Sequence, residues 1–78
     1  MSISINTKAT YQYIHFDQVE GDGKTWYECI NNKSGDVLGI VAWHARWKRY
    51  VFVSSGDTVE FSAGCLRDIA DFVEKAKG

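Results

Sequence analysis

Ser62-Ala63-Gly64-Cys65-Leu66-Arg67-Asp68-Ile69-Ala70-Asp71-Phe72-Val73-Glu74-Lys75-Ala76 is the stretch that decides the fold. Leu66, Ile69, Phe72, Val73 and Ala76 recur at helical spacing, while Arg67, Asp68, Asp71, Glu74 and Lys75 fall on the other side. That pattern predicts an amphipathic helix. Ser62 supplies its start, because a hydroxyl there accepts a first-turn amide that has no partner inside the helix. Lys75 and Lys77 stand near its negative end, where cations are favoured. A helix of about four turns cannot bury such a stripe by itself. The rest of the chain must supply an apolar layer for it.

Upstream of the helix the pattern changes to alternation and turns. Tyr11 to Glu20 reads as a strand, and Gly21-Asp22-Gly23-Lys24 as a turn whose glycines accept positive φ. Thr25 to Ile30 is the second strand, and Asn31-Asn32-Lys33-Ser34-Gly35-Asp36 is the strongest turn signal in the chain. Val37 to Trp43 follows, with Leu38, Ile40 and Ala42 on one face and Val41 and Trp43 on the other. His44-Ala45-Arg46 turns the chain into a fourth strand, Trp47 to Val53. Both of these strands are apolar on two faces, which predicts central strands or a second face covered by a partner chain. After a turn at Ser54-Ser55-Gly56-Asp57, Thr58 to Phe61 is a short strand or an extended lead-in. Residues 1–10 are small and polar and read as a flexible N-terminus or a loosely held strand, leaving 11–78 as a single domain. The expected fold is α+β: an antiparallel four- to five-stranded sheet packed against one C-terminal helix in two layers.

Seventy-eight residues make one domain, near the size at which a single core only just suffices. With 45% hydrophobic and 14% aromatic residues the chain belongs to the globular class. Three Trp, four Tyr and four Phe are more rings than so small a core readily hides. Some are expected on a ligand or partner surface, and homo-oligomerisation is a natural way to enlarge the core. Nine Lys plus Arg against ten Asp plus Glu give a net charge of −1. Nonspecific duplex-DNA binders carry a positive excess instead, so nucleic acid is not the expected partner. Two cysteines, Cys29 and Cys65, are too few for a disulfide-held secreted mini-protein. MSISINTKAT lacks the basic-then-apolar order of a secretory signal, and no apolar run nears the roughly 20 residues that span a bilayer. The expected location is the cytoplasm, with reduced thiols and no membrane.

The segment Trp43-His44-Ala45-Arg46-Trp47-Lys48-Arg49-Tyr50 packs three cations, a histidine and three large aromatics into eight positions. Ring faces stack on nucleobases, and interleaved Arg or Lys pairs with phosphate. These residues therefore form a candidate site for a nucleotide or another anionic aromatic ligand. The same residues also suit a plain hairpin, with its rings in the core and its charges in water. At Ser62, Ala63 and Gly64, small residues leave the first-turn amides approachable by phosphate or carboxylate, or simply make an ordinary cap. Cys29, Cys65, His15 and His44 show no metal-ligand spacing, so neither metal nor cofactor is expected. No Ser, His and Asp stand in a frame that would activate a nucleophile. Gly21-Asp22-Gly23-Lys24 is too short and wrongly placed for a phosphate-binding loop. The chain does not read as an enzyme.

Asn32-Lys33-Ser34-Gly35-Asp36-Val37-Leu38-Gly39-Ile40, then Trp43, Trp47-Lys48-Arg49-Tyr50 with Phe52, then Cys65-Leu66, Asp68-Ile69 and Phe72 together resemble a family of very small phage and prophage proteins. The resemblance spans roughly residues 13 to 75. It further links the chain to viral sponge proteins, which sequester the cyclic-nucleotide signals of bacterial defence systems such as CBASS or Thoeris. It implies ligand-binding roles for Trp43, Trp47, Lys48, Tyr50 and the Ser62–Cys65 helix start. The chain departs from the family pattern at His44, where Tyr is common, at Lys48, where Arg is common, and at Arg49, where Gln is common. Lysine at 48 forgoes a planar, bidentate donor.

The expected function is that of a phage-encoded binder in the host bacterial cytoplasm. It would sequester a cyclic oligonucleotide or a cyclic ADP-ribose isomer as a homo-oligomer, through Trp43, His44, Arg46, Trp47, Lys48, Arg49, Tyr50, Ser62, Ala63 and Gly64. The alternative is a phage protein that inhibits a host protein by direct contact, since exposed Trp, Tyr and Arg also make protein hot spots.

Overall fold

Five strands and one helix make up the computed structural model, which describes residues 4–56 and 60–76. The strands are β1 (Ser4–Thr10), β2 (Ile14–Gly21), β3 (Lys24–Asn31), β4 (Val37–His44) and β5 (Arg49–Ser54). They lie in chain order, each antiparallel to the next, in a sheet that remains open at β1 and β5. The helix α1 (Ala63–Lys75) covers one face. The two-layer α+β architecture expected from the helix stripe is the one observed.

Turn chemistry sets the register. Gly21 pairs with Lys24, so Asp22-Gly23 is a two-residue loop, and both of its residues have positive φ (52° and 75°). That is the hairpin geometry whose twist matches its flanking strands. Between β3 and β4, Asn31 Oδ1 accepts the Lys33 and Ser34 amides, and Gly35 takes φ 79°. Asn32 reaches back to donate to the Tyr11 and Gln12 carbonyls at 2.9 and 3.3 Å, tying this turn to the β1–β2 connection. The Asn-Lys-Ser-Gly signature is thus used up in holding two loops together.

The structure refines several readings from the sequence. Of the two expectations for residues 1–10, a flexible N-terminus or a loosely held strand, the strand is the one seen from Ser4: Ser4–Thr10 is edge strand β1, hydrogen-bonded to β2 and bulged between Thr7 and Ala9. Its polar side chains hid it, because a strand is paired through its backbone. Tyr11 to Tyr13, assigned to the next strand, are instead the connection between β1 and β2. Leu38 leaves the face of Ile40 and Ala42, because an irregularity in the β3–β4 register, where Cys29 pairs with Gly39 and Ile30 with Val37, re-aims it toward the core. Thr58, Val59 and Lys77 lie outside the described residues, so the expected strand at Thr58–Phe61 is described only at Glu60 and Phe61, which are irregular.

Ile14, Phe16, Cys29 and Val41 are fully buried under Ile69 and Phe72 of α1. Phe72 lies flat on Phe16, centroids 4.1 Å apart and planes 2° apart, and meets Tyr27 edge-on at 5.1 Å. Burial of each such side chain contributes about 1.5–3 kcal/mol. The stripe runs through Cys65, Ile69, Phe72, Val73 and Ala76; Leu66, expected in it, is half exposed, since Cys65 takes its place against the sheet. Gly39 is required by contact: a Cβ there would come within 2.5 Å of the Phe52 ring and of the Val53 carbonyl oxygen.

The helix is also tied by a polar latch. Tyr11 Oη donates to Asp71 Oδ2 at 2.8 Å, and Lys75 Nζ lies 3.0 Å from the same oxygen. Burial and then the bond to Asp71 push the Tyr11 phenol up to about 12. Hydrogen bonds from Lys75 and Tyr11 hold the Asp71 carboxyl below its usual value.

Candidate functional site

Four residues, Ala45-Arg46-Trp47-Lys48, join β4 to β5, because His44 pairs with Arg49. The loop is one residue longer than the expected turn at His44-Ala45-Arg46 and is shifted along the chain, so Trp47 and Lys48 belong to the turn and not to a strand, while His44 ends β4. The Lys48 amide donates to the His44 carbonyl at 2.7 Å, and Lys48 closes the loop with φ 55°. A non-glycine residue in this left-handed region costs roughly 1–2 kcal/mol. The Trp47 amide donates to His44 Nδ1 at 3.1 Å, and the two rings stack at 4.4 Å. Trp47 is 61% exposed at the hairpin tip.

Behind this tip a cleft of about 450 Å³ opens between the hairpin and the C-terminal end of the helix. Trp43, Lys48, Arg49 and Tyr50 form its hairpin wall, and Val73, Glu74 and Ala76 its helix wall. The volume falls in the ~300–1,000 Å³ range of small-molecule sites. Trp43 pairs with Tyr50 across the strands, their rings edge-to-face at 5.4 Å, and half of Trp43 is open to solvent. Tyr50 in turn meets Tyr27 at 6.0 Å, and Tyr27 meets Phe72. The cleft rings are therefore the last members of an aromatic ladder anchored in the core, which fixes them without consuming Trp43.

The walls differ in charge. Lys48 and Arg49 are cationic, while Glu74 and the last carbonyls of α1 are negative or electron-rich. Lys48, Arg49 and Glu74 form no ion pair with one another or with any other described residue. A hollow with stacking rings, a cationic rim and an opposing acceptor suits an aromatic heterocycle that bears an anion at one end and N–H donors at the other.

Of the residues singled out in the sequence, the structure brings Trp43, Lys48, Arg49 and Tyr50 together. His44 and Trp47 stack on each other at the tip, and Arg46 sits in the same loop; none of the three lines the cleft. Ser62, Ala63 and Gly64 stand at the opposite end of a 13-residue helix, roughly 20 Å along its axis from Ala76. Ser62 Oγ there accepts the Cys65 amide at 3.2 Å, the ordinary work of a cap. Val73, Glu74 and Ala76 were missed. Their sequence signal is only a helical position, and nothing in the local pattern says which end of the helix meets the hairpin.

Among the described residues no three His, Cys, Asp or Glu side chains gather as a metal site, and Cys29 and Cys65 are free thiols. Burial raises the Cys29 thiol to about 12, with the nearby Cys65 adding to the shift. No helix among the described residues is long and apolar enough to cross a membrane. No family model, no curated protein and no solved structure matches the chain.

Proposed function

We propose that the protein is a stoichiometric binder of a nucleotide-type ligand, held in the cleft between the β4–β5 hairpin and the end of α1. The observation that carries this reading is the juxtaposition of half-exposed Trp43 and Tyr50 with unpaired Lys48 and Arg49 in one solvent-open hollow. A base stacks on the Trp43 indole, which contributes about 1–3 kcal/mol. Its phosphate takes charge-assisted hydrogen bonds from Lys48 and Arg49. Glu74 accepts from an exocyclic amine or ring N–H on the base edge, a contact that a bare phosphate or a hydrophobic ligand would not use.

The resemblance to small phage and prophage proteins supports a particular biological role: sequestration, in the host bacterial cytoplasm, of the cyclic oligonucleotide or cyclic ADP-ribose isomer that signals infection. Such a protein acts by affinity and needs no catalytic group. The test is calorimetric titration with cyclic di- and trinucleotides and cyclic ADP-ribose isomers. Saturable, near-stoichiometric binding to one class, abolished by Trp43→Ala, is expected. Absence of binding across the panel removes the reading.

One observation favours a second reading. Trp47 and Arg46 project from the hairpin tip outside the cleft, and an exposed Trp beside Arg is a typical protein hot spot. If the tip docks on a host protein, Trp47→Ala breaks that complex and leaves nucleotide binding intact.

A further inference from the structure

No described element covers the second face of the sheet, and its central row is apolar. Alternation along β2 to β5 puts Val19, Trp26, Ile40, Ala42, Val51 and Val53 on the side away from the helix; Val53 is 53% exposed there, Trp26, Ile40, Ala42 and Val51 are half-buried, and Val19 is already buried beside Trp26. Val19 pairs with Trp26 and Ala42 with Val51, one apolar row across four strands, which Ile40 and Val53 extend on β4 and β5. Strands about 4.8 Å apart and three rows of side chains about 6.7 Å apart make a face on the order of 400 Å² in projection, its central row apolar and its flanking rows mixed, with Asp17 and Glu28 on one side and Lys24, His44 and Arg49 on the other. Side-chain relief adds to this, so two copies face to face reach the roughly 1,000 Å² in total that a specific interface requires.

Its charges are arranged for a second copy. Along β3, Trp26 stands midway between Lys24 and Glu28 on this face, and Lys24 lines the same 590 Å³ hollow as Trp26, Ile40 and Ala42. Neither Lys24 nor Glu28 has an ion pair with any described residue. Turned about a twofold axis that crosses the strands at Trp26, the face meets itself with Trp26 over Trp26. Glu28 of each copy then lies over Lys24 of the other. Aligned sheets pack at about this separation and orientation in sandwiches.

We propose that the protein is an isologous dimer, joined through this open sheet face and closed by two reciprocal Lys24–Glu28 pairs around the Trp26 contact. Trp43 and Tyr50 line both the cleft and the hollow beside Trp26, whereas Lys24 and Glu28 lie outside the cleft, so charge reversal at those two positions tests the dimer apart from the ligand reading. The direct test uses the full chain. Sedimentation equilibrium of the wild type shows a dimer; Lys24→Glu and Glu28→Lys each weaken it by about tenfold or more through like-charge apposition, and the double exchange restores it. A monomer at every concentration overturns the proposal, as does a dimer indifferent to both reversals. A second measurement needs no variant. Light and isotopically heavy chains are mixed and treated with a zero-length carbodiimide, which joins amine to carboxylate. Within one strand Lys24 and Glu28 are about 13 Å apart, too far for that reagent. A light-to-heavy Lys24–Glu28 cross-link is expected, and its absence sinks the interface.

Discussion

One set of strands serves two faces, and the two are built differently. On the helix side Phe16, Cys29 and Val41 are sealed under Ile69 and Phe72, and every ring has a ring neighbour. On the other side Trp26, Ile40 and Val53 are equally apolar, yet no described element covers them. The difference teaches that apolar content does not locate the core; the covering layer does. It also separates the costs of mutation. Changes on the sealed face act on stability, those at its open end act on binding, and those on the bare face act on association.

The sharpest way to break this contrast is Phe72→Ala. It removes the ring that stacks on Phe16 and meets Tyr27, and is expected to cost about 3–5 kcal/mol in denaturant unfolding. Gly39→Ala comes next, at roughly 1–3 kcal/mol, because its new methyl meets the Phe52 ring and a backbone oxygen. Trp43→Ala, in contrast, leaves the melting temperature nearly unchanged and removes about 1–3 kcal/mol of ligand binding by calorimetry. Lys48→Gly should move the two properties in opposite directions. It relieves the positive φ, raising stability by up to about 1 kcal/mol, and weakens ligand affinity by removing a cation.

The smallest effect is in pH. The folded state holds the Tyr11 phenol at about 12, against an ordinary 10.0, and the Cys29 thiol at about 12, against 9.0. Between those limits the unfolded chain has lost protons that the folded chain retains. Stability is therefore complete below about pH 9 and falls as pH rises toward 12. Asp71 acts at the other extreme: its lowered value gives a contribution that is present above 3.8 and is lost as pH falls below it. Tyr11→Phe should flatten the alkaline slope of a pH series of unfolding curves while leaving the Cys29 component.

Much of this was legible in the chain. The stripe from Ile69 to Ala76 and the turns at Asp22-Gly23 and Asn31–Gly35 carry their own local chemistry, so the helix and the central hairpins could be read directly. β1 could not, since Ser-Ile-Asn-Thr-Lys-Ala-Thr pairs by backbone and shows no alternation of apolar residues. At the site, the rings and cations of 43–50 were visible as a cluster, but their division was not. A four-residue loop sends Trp47 and His44 outward and leaves Trp43 and Tyr50 on the helix side, and a single residue of loop length decides that. The contribution of Glu74 depends on helix direction over the sheet, which is a tertiary fact. Ser62, Ala63 and Gly64 looked like an anion site because every capped helix start does.

The three indole N–H signals offer the most direct measurement, because Trp43 lines the cleft, Trp47 crowns the tip and Trp26 sits on the bare face. Nitrogen-15 spectra should be recorded while the cyclic nucleotide selected by calorimetry is titrated in. The account predicts that the Trp43 indole and the Val73–Ala76 amides shift together and saturate, with Trp26 unmoved. Shifts confined to Trp26 or Trp47, with Trp43 silent, would contradict it.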